Sequence, residues 1–133
     1  MKKCIFAVIF SIILVTLFAG RSATPHPVYI ELHDSNGNVP LADSLEVKCW
    51  LDHKPEQVLD LKDSNVIFPI RDVFLQIQCS GFDSWSEGDS LHVEVTDHNT
   101  GESLKMVIEL TFENFQLFSE NHLSKPEEIE IKE

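Results

Sequence analysis

Basic residues are scarce in this chain: ten Lys and Arg stand against 22 Asp and Glu among 133 residues. Three of the ten, Lys2, Lys3 and Arg21, precede the first acid, Glu31. The remainder keeps seven basic residues against all 22 acids, a net charge of −15. Phosphate binding needs Lys and Arg to displace counterions, so this balance excludes nucleic acid as a partner and repels anionic lipid. Cysteine is nearly as rare, with three in all and neither a C-x-x-C pair nor a close Cys/His cluster, which gives no metal or redox site. The five glycines form no phosphate-cradling loop, and G-x-S-x-G and H-E-x-x-H do not occur. No catalytic residue and no cofactor is therefore assigned, and the chain reads as non-enzymatic.

One long apolar run is present, and it lies at the start. Lys2 and Lys3 lead into Cys4 to Ala19, followed by Gly20, Arg21 and Ser22. A positive n-region, an apolar h-region and small residues behind it make a secretory signal peptide. The run of 16 residues is shorter than the roughly 18 to 20 that span a hydrocarbon core, and no stop-transfer cluster follows it. An uncleaved N-terminal anchor is the alternative. The expected organisation is a signal peptide over 1–22 and one domain over 23–133, with Ala19, Ser22 and Ala23 as candidate last residues of the leader. The product is expected to be exported, periplasmic or extracellular, and free of the membrane after cleavage.

Cys4 leaves with the leader, so Cys49 and Cys79 remain. An even pair in an oxidising compartment predicts a disulfide. Side-chain alternation supports it: Val47, Cys49 and Leu51 share one strand face, and Val73, Leu75, Ile77 and Cys79 share another. Closing a loop of roughly 30 residues would be worth about 3–4 kcal/mol in the chain-entropy model.

Period-two alternation recurs elsewhere and a 3.6 period of helical length does not. Val28, Ile30 and Leu32 alternate with Tyr29, Glu31 and His33, and Leu91, Val93 and Val95 with His92, Glu94 and Thr96. Leu104, Met106, Ile108 and Leu110 continue to Phe112, and Ile129 and Ile131 close the chain. Turn signals such as Asp34-Ser35-Asn36-Gly37 and Asp97-His98-Asn99-Thr100-Gly101 separate these runs, and residues 119–126 read as a loop. About seven or eight strands spaced ten residues apart predict a single antiparallel β-sandwich. Its expected core is Val47, Cys49, Leu51, Leu75, Ile77, Cys79, Leu91, Val93, Val95, Met106, Ile108 and Leu110.

Candidate binding residues follow from what alternation leaves outside. Trp50 falls on the face of its strand with Glu46, Lys48 and Asp52, and Phe74 falls opposite Val73 and Leu75. An outward aromatic in a secreted sandwich is what a protein- or glycan-binding surface uses. Were the two strands neighbours, Trp50 and Phe74 would share a platform; were the cysteines joined across the core, the rings would lie on opposite sheets. Trp85, in an irregular connection, is placed to plug the end of the sandwich. The six histidines, His26, His33, His53, His92, His98 and His122, are assigned to turns and outward positions. The two Asp/Asn turns carry oxygens of the kind calcium loops use but miss the loop spacing.

From Val73 to Glu102 the chain resembles small Ig-like β-sandwich modules of secreted bacterial proteins. The resemblance rests on Trp85 ahead of Gly88-Asp89, the strand Leu91 to Val95, and the Asp97…Thr100-Gly101-Glu102 hairpin. It implies an Ig-like sandwich and an accessory, non-catalytic role, and it transfers no site residue. The functional expectation is a secreted or envelope-associated binding or adhesion module for an unknown protein or glycan. A small secreted inhibitor or accessory subunit of an exported enzyme is the alternative.

Overall fold

The structure, a computed structural model, describes residues 26–125. The expected leader and the strand expected at Ile129 and Ile131 lie outside the described residues. Eight strands occur among those described: β1 (Pro27–His33), β2 (Leu45–Leu51), β3 (Lys54–Asp60), β4 (Val66–Ile70), β5 (Phe74–Gln78), β6 (Ser90–Asp97), β7 (Ser103–Glu109) and β8 (Gln116–His122). They form two four-stranded sheets, ordered β4-β5-β1-β8 and β3-β2-β6-β7. The fold is an all-β sandwich. Every pairing is antiparallel except that of β1 with β8.

Alternation builds the core as its period requires. β1, β2 and β6 bury every second residue, so each sheet turns one apolar face inward. Val28, Ile30, Leu32, Leu51, Leu75, Ile77 and Leu91 meet there fully buried. All twelve expected core residues fall in this cluster, Met106 only at its partly buried margin.

Two expectations about strands are corrected. Residues 119–122, expected within a loop, are instead the second half of β8. Their polar, non-alternating sequence is that of a sheet edge, where one neighbour, β1, supplies the pairing. Phe112 does not continue the alternation of β7, which ends at Glu109; its ring is exposed and lies 5.9 Å from Trp85.

The disulfide is also corrected: Cys49 and Cys79 are free, buried thiols. They do lie on opposite sheets, Cys49 within β2 and Cys79 just past β5. Strand geometry ends at Gln78 and Cys79 opens a 3-10 turn over Cys79–Gly81, yet its side chain remains fully buried in the core with Cys49. Cys49 Sγ donates to the Leu59 carbonyl at 3.6 Å. Burial pushes both thiols up to about 12. Thiolate is the reactive form, so the native protein should resist alkylation. Unfolding without reductant should then label both cysteines. Labelling only after reduction would show the bridge that this structure does not contain.

Candidate functional site

The outer faces of the two sheets differ in kind. On the β3-β2-β6-β7 sheet, register aligns Lys48, Glu94 and Lys105 in one row and Trp50, His92 and Val107 in the next. Lys48 pairs with Glu46 at 3.2 Å and Lys105 with Glu94 at 3.8 Å. The Trp50 ring stacks on His92, with centroids 5.2 Å apart and planes 4° from parallel. His92 Nε2 in turn meets Asp52 Oδ1 at 2.9 Å. Trp50 is thus half-buried, and one ring face is taken by a histidine that a carboxylate holds in place. This sheet presents mostly paired polar groups, with Val107 and Val58 exposed among them.

On the β4-β5-β1-β8 sheet the outer face carries aromatic and aliphatic side chains beside Gln76 and Glu31. Register lines up Ile67, Gln76, Tyr29 and Leu117 across all four strands. One row away, Phe74 stands opposite Glu31. The ring of Tyr29 lies edge-to-face with Phe74, at 6.4 Å and 76°. It also meets Phe115, at 6.2 Å and 69°. Phe115 is 54% exposed, Leu117 51% and Ile67 40%. Among the described residues, β8 is also an outer strand of its sheet.

Trp50 and Phe74 therefore lie on opposite sheets and make no joint platform. Phe74 instead meets Tyr29, which in turn meets Phe115; the sequence singled out neither of these two rings. Tyr29 carried a signal, since alternation on β1 turns it outward, but not its neighbours: β1 pairs with β5 and β8, far away in sequence. Phe115 lies in the connection before β8, where no period marks a side chain's direction.

A carboxylate sits at the edge of this aromatic surface. Glu31 Oε2 accepts the Glu120 backbone N–H at 2.9 Å, and Glu31 Oε1 meets His33 Nε2 at 3.1 Å. The Glu120 N–H first, then His33, hold its carboxyl below the ordinary glutamate range. On the opposite sheet His98 first, then Lys48, do the same for Glu46. A depressed carboxylate contributes stability above its unfolded-state value, and that contribution disappears as pH falls through the lower folded-state value. Both side chains remain in contact with solvent, so screening keeps the effect on stability slight. In an NMR pH titration the side-chain carbons of Glu31 and Glu46 should show midpoints below about 4.3, the unperturbed value. Midpoints at or above it would mean that these contacts do not persist in solution.

Two buried polar groups tie loops to the sandwich. His26 was expected at the surface but is buried, with Nδ1 2.7 Å from the Glu113 carbonyl and Nε2 2.7 Å from Gln116 Oε1. Gln116 Nε2 donates to the Glu109 carbonyl at 3.0 Å and Thr111 N–H to Gln116 Oε1 at 3.3 Å, which fixes the amide's orientation. Both imidazole nitrogens are thus engaged, and the ring bridges β8 and the connection before it. The His26 ring also packs 5.1 Å from Trp85, which plugs the sandwich as expected.

Glu102 is the second tie. Its carboxylate accepts the Ser35 N–H at 3.3 Å, the Thr100 hydroxyl at 3.4 Å and the Ser35 hydroxyl. The two Asp/Asn turns are thereby joined. Asp34 Oδ1 accepts the N–H groups of Asn36 and Asn38, and Asp97 Oδ1 that of Asn99, so both aspartates cap their own turns. Gly101 closes the second turn at φ +74°, where a side chain would be strained.

No protein-family model matches the chain, and no curated protein or solved structure matches it either.

Proposed function

We propose that the chain is a non-enzymatic, exported binding module of Ig-like type that engages a protein partner through the outer face of the β4-β5-β1-β8 sheet. The observation that carries this reading is the aromatic chain Phe74–Tyr29–Phe115 beside exposed Leu117 and Ile67. Aromatic residues are enriched at protein interfaces and dominate their energetics, and a contiguous exposed apolar surface is uncommon on a protein without a partner. Ring geometry favours a protein over a glycan. A sugar stacks on rings lying flat along one plane, whereas Tyr29 stands at 76° to Phe74 and at 69° to Phe115, so the three rings make no single flat platform. The outer strand β8 adds backbone groups along the same border, which an extended segment can pair with.

A photo-reactive phenylalanine analogue at position 115 should cross-link a specific partner in cells that produce the protein. The same analogue at position 105, on the opposite sheet, should not. Equal cross-linking from both positions would remove the assignment of this face.

A further inference from the structure

Lysine is distributed unequally between the two sheets. Lys48, Lys54 and Lys105 lie on β2, β3 and β7, whereas β1, β4, β5 and β8 carry no Lys or Arg. The aromatic face lies on the strands without cations, and acids are what it does carry. Glu31 stands opposite Phe74 in the ladder, Glu120 follows Leu117 along β8, and Glu113 lies exposed just before Phe115.

We infer that the segment received by this face is an extended strand of a partner protein bearing Lys or Arg among apolar residues. The inference rests on the binding function proposed for the same surface and names the chemistry of its occupant. Charge complementarity supports it, since seven basic residues against 22 acids beyond the leader repel an acidic partner and draw a basic one. The rings support it independently. Phe115 is 54% exposed, so its ring is open to an ammonium or guanidinium. Glu31 is already held in place by the Glu120 N–H and His33, so a cation settling between it and the rings finds its counter-charge pre-positioned. A period-two segment alternating cationic and apolar residues would set one kind of side chain on the rings and leave the other free.

Three probes test this against the isotope-labelled protein isolated from producing cells: a six-residue peptide alternating Arg and Val, its counterpart with Glu for Arg, and a neutral oligosaccharide. The Arg peptide should shift the resonances of Tyr29, Phe74 and Phe115, and its affinity should fall about tenfold or more between low and high salt as screening lengths shorten. Glu31→Gln should weaken it about two- to fivefold, as loss of a partner charge at a solvent-screened site does. Phe115→Ser, at an exposed position, should weaken it without changing the thermal midpoint. Equal shifts from the Glu peptide would overturn the cationic occupant. Shifts from the oligosaccharide alone would assign the face to a glycan, and shifts that grow with protein concentration alone would assign it to a second copy. No shift from any probe would also overturn the inference. The cross-linking result at position 115 stands apart from all of these, so the face and the charge of its occupant can fail separately.

Discussion

Trp85→Ala is expected to cost about 3–5 kcal/mol, the range for removing a large buried aromatic. Trp85 is 2% exposed and lies within the core cluster. It closes the end of the sandwich from the irregular connection between β5 and β6. His26 on one side and Phe112 on the other pack against it, at 5.1 and 5.9 Å. The cavity left by alanine cannot collapse easily, because its walls are strands fixed in two sheets. A domain of this size is stable by roughly 5–15 kcal/mol, so this one change removes a large share. The check is the urea unfolding midpoint of the variant, with Trp85→Phe as the milder control. A loss under about 1 kcal/mol would mean that the ring is not the plug described here.

Glu102→Ala is expected to cost about 1.5–3 kcal/mol, the range for hydrogen bonds to a charged group. Three donors, the Ser35 N–H, the Ser35 hydroxyl and the Thr100 hydroxyl, converge on one carboxylate that is 2% exposed. Alanine leaves them without that acceptor and unties the β1–β2 turn from the β6–β7 hairpin. Glu102→Gln keeps one carbonyl oxygen in place and should cost less. Thermal unfolding of the two variants, with amide exchange at residues 34–38 and 97–102, reads both effects. Unchanged exchange in the alanine variant would show that the turns hold without their tie.

The interior was legible because alternation on β1, β2 and β6 is nearly unbroken and each inward position except Asp97 at the end of β6 is aliphatic or cysteine. Trp85 was legible too, as a large aromatic in a connection too short and irregular to shield it otherwise. What escaped depends on pairing distant in sequence. β8 shows no period, because a strand paired on one side need not bury alternate residues, and its parallel register with β1 bridges almost the whole domain. His26 looked like a surface residue because its acceptors, Glu113 and Gln116, lie 87 and 90 residues away. Cys79 was legible as a buried residue but not as part of a turn, since it lies one residue past the end of β5. Of the two outward aromatics, Trp50 proved to be stacked on His92 and Phe74 to be one end of a three-ring surface. The strand order that brings Phe74, Tyr29 and Phe115 together is a property of the sheet and not of any one segment.

The binding role of that surface is tested most directly by the double variant Phe115→Ser, Leu117→Ser, whose replaced side chains are 54% and 51% exposed. Exposed substitutions of this kind change stability by about 0.5 kcal/mol or less each, so the fold should be retained. The measurement is the amount of the partner cross-linked through position 67, at the far side of the same face. The expected result is a loss of nearly all cross-linked partner with an unchanged thermal midpoint. Undiminished cross-linking by a folded double variant would contradict the assignment of this face as the binding surface.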